Sequence, residues 1–283
     1  MPVDFNPSNM LNLGCGKRFN PRWCNVDFVS SEPDVISYDL TKGIPFPNNR
    51  FDVVYHSHVL EHFSRTQAGI FIAECFRVLK PEGVLRIAVP DLEQIAAHYL
   101  QCLQSALKGE PEAEHDYDWI MLELLDQCVR TSGGGEMKKY LRNSPVPNAQ
   151  FVRKRIGRFF DIITNSHLSH RPAKSGWKTI LKTIIPAAKI KRSASRMMKY
   201  FPGEKNRRLG KFRNSGEVHQ WMYDRFSLPR MLKMSGFTDI TARDPHTSYI
   251  PDWSSYCLDT DPDGAVYKPD SLYIEAKKPY VSN

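Results

Sequence analysis

The stretch Met10-Leu-Asn-Leu-Gly-Cys-Gly16 narrows the folds open to this chain more than any other. Its apolar part is too short for a helix and is ended by two glycines, so it reads as a buried strand. Glycine has no Cβ to obstruct a sharp bend or a ligand lying against the backbone. A strand that ends this way suits the carboxyl edge of a parallel sheet, where nucleotides bind. The dinucleotide fingerprint G-x-G-x-x-G is not completed, because Phe19 stands at the third glycine position. A nicotinamide enzyme is therefore disfavoured, and a tight turn after a core strand remains the plain alternative.

The segments that follow repeat one pattern. CNVDF, DVISYDL and FDVVYHS are short β-rich runs, and TQAGIFIAECFRVL carries apolar residues at helical spacing. KPEG then predicts a turn and GVLRIAVP a strand. Alternating strand and helix predict an α/β fold, a Rossmann-like, mainly parallel sheet. Asp91 to Leu107 and Tyr117 to Val129 read as helices, with TSGGGE breaking the second. Later, SLPRMLKMSGF predicts a helix closed by Gly236, and TDITARD and SLYIEAKK predict strands. The chain divides into a cofactor-binding half over 1–130, a basic, mostly helical insertion or lid over 131–213, and a C-terminal helix and strands over 214–283.

Asp27 ends the second predicted strand, where a carboxylate can accept both hydroxyls of a ribose. Asp39 ends the third, where it can accept from an adenine amino group. Each alone is a turn or cap residue; in this order after the glycine bend they suggest a nucleoside cradle. Through LNLGCG, NVDF, YDLTKGIPFPNNRFDVVYHSHVLEHF and ECFRVLKPEGVLRIAVPDL, the chain resembles the class I S-adenosylmethionine-dependent methyltransferases with a type 11 methyltransferase domain. The resemblance covers residues 9 to 95, and 216 to 278 more loosely. It implies a seven-stranded sheet with an antiparallel last strand and S-adenosyl-L-methionine as cofactor. It also implies cofactor-binding roles for Leu13, Gly14, Cys15, Gly16, Asp27, Asp39, Leu40, Ser57 and His58. Gly14 and Gly16 would pass under the methionine part, and Ser57 and His58 would lie near the methyl group. Asn12 replaces the acid often found two residues before the first glycine, and Arg18 replaces a third glycine. With so few residues between Gly16 and Asp27, the first helix of the family is reduced to a turn. Lys17 or Arg18 either meets the cofactor carboxylate or is a solvated surface charge.

A high-pKa oxygen acceptor needs a base. In HVLEH a helix would place His58, Glu61 and His62 on one face, and histidine accepts protons near neutral pH. The bland reading makes Glu61 and His62 loop-holding residues. Related methyltransferases with Glu-x-x-Glu-His here bind a metal, so His58, Glu61 and His62 form a weaker, metal-binding alternative. His219 and Tyr223, in EVHQWMYD, are further catalytic candidates on a substrate wall, against a reading in which Trp221 and Tyr223 only pack.

The net charge of +8 is unevenly spread: residues 138 to 213 hold 21 Lys and Arg against Asp161 and Glu204. Such a segment attracts anions in a salt-sensitive way. WKTILKTIIPAAKIKRSASRMMKYF mixes apolar and basic residues as interfacial helices do. The expected partner is a small-molecule or glycan acceptor, anionic or lipid-linked, with peripheral membrane contact as an option and nucleic acid disfavoured. Six scattered cysteines form no C-x-x-C pair, and no secretory signal or membrane span is evident, so a reduced cytoplasmic setting is expected. The acceptor class, a sugar, glycan or secondary metabolite, follows from the resemblance. A methyltransferase-like module without catalysis, docking through the basic insertion, is the competing function.

Overall fold

The computed structural model describes residues 6–30, 32–168 and 203–280. Seven strands form one sheet: β1 (Met10–Leu13), β2 (Cys24–Asp27), β3 (Val35–Ser37), β4 (Phe51–Ser57), β5 (Leu79–Pro90), β6 (Thr238–Arg243) and β7 (Ser271–Lys277). Their order is β3-β2-β1-β4-β5-β7-β6. Strands β1 to β5 pair in parallel, and β7 lies antiparallel to both β5 and β6. This is the predicted Rossmann-like sheet. One detail differs: KPEG is drawn into β5 rather than forming a separate turn, with Glu82 at φ +65°.

Alternation along β4 supplies both faces of the sheet. Val54 joins a core with Leu11, Leu13, Phe71, Ile72 and Leu228, whereas Val53 and Tyr55 join Met10, Trp23 and Trp253 on the other side. Helix α1 (Arg65–Val78) covers the first face through Ala68, Phe71, Ile72, Cys75 and Val78, and a Ser64–Gln67 capping box starts it.

Beyond β5, Asp91 caps α2 (Leu92–Leu107) by accepting from Glu93 N and Gln94 N. Helices α3 (Ala113–Val129), α4 (Gly135–Tyr140), α5 (Ala149–Ile156) and α6 (Arg158–Leu168) follow. Trp119, Leu141, Val152, Ile156 and Phe160 form a small core among them. Arg155, one of the insertion's cations, turns inward and forms a buried pair with Glu123 at 2.7 Å. Helix α7 (Glu204–Arg213) pairs Glu204 with its own Arg207 and Arg208, and α8 (Ser227–Met234) precedes β6. The amphipathic stretch 177–201 lies outside the described residues. No described helix is long and apolar enough to cross a membrane.

Candidate functional site

The chain winds outward from β1 in two directions, so the carboxyl ends of β1 and β4 adjoin, with Leu13 paired to His56. Open α/β sheets bind ligands at such a switch point. Here the turn after β1 is held by Gly14 N and Cys15 N donating to Val26 O, and by Gly16 N donating to the Asp27 carboxylate at 2.6 Å. Both glycines have positive φ, yet they answer different needs. A Cβ on Gly14 would lie 2.3 Å from Val59 Cγ2, while one on Gly16 would meet nothing within 4 Å. Gly14 admits Val59, which follows β4; Gly16 leaves open space for a ligand.

A cavity of about 200 Å³ opens beside this turn. Gly14, Cys15, Gly16, Ser57 and His58 line it, five of the residues named from sequence. Burial, with the Asp27 charge nearby, pushes the Cys15 thiol up to about 12, so it stays protonated and unreactive. Leu13, Asp27, Asp39 and Leu40 do not line this cavity. Leu13 is fully buried core. Asp27 braces Gly16 at the cavity's edge. Asp39 caps a single helical turn, accepting from Thr41 N and Thr41 Oγ1, and these bonds hold its carboxyl below the usual range.

Leu258, Tyr267 and Lys268, from the loop before β7, close the cavity's other side. Nothing local in the sequence marks them, since the turn they face is about 240 residues away. Arg18 fastens this loop: it donates to Leu258 O at 2.8 Å, to Asp261 Oδ1 at 2.9 Å and to Thr260 O, and its guanidinium stacks 4.0 Å from the Tyr267 ring. Arg18 is thus neither a solvated charge nor free for a cofactor carboxylate. Arg86, wholly buried on β5, anchors the same loop through Asp259 and pairs with Glu275 on β7, each at 2.8 Å. Burial disfavours its charge, but the two carboxylates outweigh this and raise its pKa.

A second cavity, of about 410 Å³, is lined by His58, Glu61, His62, His219 and Lys268 among others. His58 and Lys268 belong to both cavities. His58 has φ +54°, and a 3-10 turn over Leu60–His62 follows rather than the α-helix expected for HVLEH. The i, i+3 pair still meets: His58 Nδ1 stands 3.3 Å from Glu61 Oε1, and His58 Nε2 lies 2.8 Å from Ser271 Oγ. Segment 218–221 is stapled onto this turn, with Gln220 N and Trp221 N donating to Glu61 O and Gln220 Nε2 to His62 O. That places His219 against the His62 ring, centroids 4.9 Å apart, with Nε2 4.0 Å from Glu61 Oε1. Tyr223 is not part of this group. It is 1% exposed in the main core and lines neither cavity.

Glu61 is fully buried. Burial favours its neutral form, but the surrounding imidazoles, His58 foremost, outweigh this and hold its carboxyl below the usual range. Burial drives His219 down to about 3, so its ring is neutral. Neither Glu61 oxygen nor His219 Nδ1 has a hydrogen-bond partner among the described residues. His62 Nδ1 lies 3.3 Å from Val218 O, which can only accept, so Nδ1 is the donor. Glu61, His62 and His219 can offer one ligand atom each, all within 4.8 Å of one another. Two imidazoles and a carboxylate suit a transition metal. The geometric set therefore exchanges His58 of the sequence-based set for His219.

Residues 16–87 match the family model described as a methyltransferase domain. No curated protein matches the chain. Among solved structures, the YcgJ protein of Bacillus subtilis is 19% identical, over 36% of this chain and 54% of that one, with a TM-score of 0.27. The 1,6-didemethyltoxoflavin-N1-methyltransferase of Burkholderia thailandensis is 19% identical over 29% and 44%, with a TM-score of 0.25. A SAM dependent methyltransferase from Archaeoglobus fulgidus is 11% identical over 95% and 85%, with a TM-score of 0.36. The chain spans about half the length of the first two.

Proposed function

We propose, from the premise that residues 16–87 belong to a class I S-adenosylmethionine-dependent methyltransferase domain, that this chain methylates a hydroxyl oxygen of a small polar acceptor such as a sugar or glycan. The cofactor is S-adenosylmethionine. Its fit rests on Gly16, above which a Cβ would find open space, and on a cavity that Lys268 lines and no carboxylate does, as an amino-acid carboxylate requires. When bound, the cofactor supplies a methyl group activated on sulfur. Asp27 and the Gly14–Gly16 turn would hold it, with Ser57 and His58 at its reactive end.

The observation that carries the reading is that His58 lines both the cofactor cavity and the larger one. Its Nε2, now 2.8 Å from Ser271 Oγ, can serve a hydroxyl seated beside the cofactor once that hydroxyl takes the place of Ser271. Buried Glu61 backs its Nδ1 and favours the imidazolium that forms. Gln127, Ser215, Glu217 and Asp270 give the larger cavity a wall suited to hydroxyl groups. His219, neutral down to about pH 3, is too weak a base for this task. It suits the second reading, in which Glu61, His62 and His219 hold a cation beside the acceptor oxygen. Glu61 Oε2 and His219 Nδ1, without partners among the described residues, favour that reading.

Calorimetry with S-adenosylhomocysteine tests the cofactor, and labelled methyl transfer to pooled sugars and oligosaccharides tests the acceptor class. His58→Ala should retain S-adenosylhomocysteine binding and lose about 100-fold or more in transfer. Undiminished transfer would remove His58 as base. Cobalt(II) titration separates the second reading: d–d absorption bands that vanish in His219→Ala support the cation site, and their absence in the wild type excludes it.

A further inference from the structure

The cofactor cavity has a cationic lining that the fold uses unequally. Arg18 is committed to three oxygens of the 258–261 loop and to the Tyr267 ring. Lys17 is exposed, where water screens its charge. Lys268 differs from both. It lines the cofactor cavity and the larger cavity together, and its ammonium forms no hydrogen bond or ion pair with any described residue. The Tyr267 ring lies below it, 6.0 Å from Nζ to the centroid. Its backbone is held in place: Lys268 O accepts from Tyr273 Oη at 3.0 Å, and Tyr267 N donates to Asp259 O at 2.9 Å. Burial lowers its pKa, while Glu61, Asp270 and Asp259 oppose this without touching it. A half-buried ammonium without a contacting anion is costly unless a ligand supplies one.

We propose that Lys268 is the counter-ion for the carboxylate at the methionine end of the cofactor, presented by the Arg18-clamped loop before β7. The inference rests on the cofactor reading above. It moves the carboxylate contact from the glycine turn to a segment remote in sequence. The loop thereby becomes part of the binding site, and Arg18 a positioning residue that acts through it.

The test is a binding cycle read by calorimetry on the full chain, with two probes: S-adenosylhomocysteine, and S-adenosyl-3-thiopropylamine, which lacks only the carboxylate. Lys268→Met should weaken S-adenosylhomocysteine about 10- to 100-fold, in line with loss of a charge-assisted bond, and change the decarboxylated probe less than about 3-fold. Lys268→Arg should recover most of the loss. Circular dichroism and a thermal melt of each variant establish that it is folded. Equal losses for both probes, or no loss for either, overturn the proposal; the latter would give the lysine to an anionic group of the acceptor. If the wild type binds neither probe, the cofactor reading itself fails. If the wild type binds S-adenosylhomocysteine and the carboxylate-selective loss is missing, only the lysine assignment fails.

Discussion

Replacing each glycine of the turn by alanine separates a packing role from a ligand role. Both residues are left-handed, Gly14 at φ +62° and Gly16 at φ +54°, so alanine brings a strain of about 1–2 kcal/mol at either site. A stiffer unfolded chain returns about 0.4–1 kcal/mol. At Gly16 nothing else is added, because a Cβ there meets no atom within 4 Å, and the net loss should be about 1 kcal/mol. At Gly14 the new carbon would lie 2.3 Å from Val59 Cγ2. Relieving that overlap moves Val59 or the turn and adds about 1–3 kcal/mol, for a total of about 2–4 kcal/mol. Urea unfolding of both variants measures the difference. Val59→Ala supplies the control, since removing Cγ2 should make the Gly14 substitution milder, with a coupling of about 1–2 kcal/mol. Calorimetry should show the reverse ranking for the ligand: Gly16→Ala, whose methyl enters the cavity, weakens S-adenosylhomocysteine about 10-fold or more. Equal destabilisation by the two alanines, or strict additivity of Gly14→Ala with Val59→Ala, would refute the reasoning.

Arg86→Met leaves Asp259 buried without its cation and Glu275 with Arg243 alone, and should destabilise the protein by about 3–5 kcal/mol in urea titrations. Because Asp259 also accepts from Tyr55 Oη at 2.6 Å and Trp253 Nε1 at 3.1 Å, limited proteolysis should cut first within the 244–268 loop. His56 is fully buried with neither ring nitrogen hydrogen-bonded among the described residues, and burial lowers it to about 4. The unfolded chain, with histidine near 6.5, binds this proton first as pH falls. Stability from this residue is therefore complete above about pH 6.5 and declines toward pH 4, by up to about 3 kcal/mol. His56→Phe should flatten that part of the stability–pH curve, and an unchanged slope would show that another group sets it.

The glycine turn was legible because its residues act locally. A glycine turn, the aspartate that braces it and the end of β4 lie within one stretch, and each is read from residue type and strand position. Asp27 could be placed from order along the chain, and its bond to Gly16 N follows from the β1–β2 register. The division of labour between Gly14 and Gly16 was not legible, because it depends on where Val59 falls after β4. The conformation of HVLEH was misread for a similar reason. His58 adopts a left-handed turn and donates its N–H to Ala88 O on the neighbouring strand, so a 3-10 turn replaces the helix that local spacing suggests.

The sequence by itself determined the parallel sheet, the helix α1 that covers it and the glycine turn at its edge. Apolar periodicity and backbone freedom are properties of consecutive residues. Tertiary structure alone decided that His219 joins Glu61 and His62, that Arg18 clamps a loop instead of meeting ligand, and that Lys268 stands between the two cavities. Those contacts span from about 160 to 240 residues of chain: the antiparallel entry of β7 beside β5 carries the preceding loop to the glycine turn, and the bridge between Asp91 and Tyr223 carries segment 218–221 to the turn after β4.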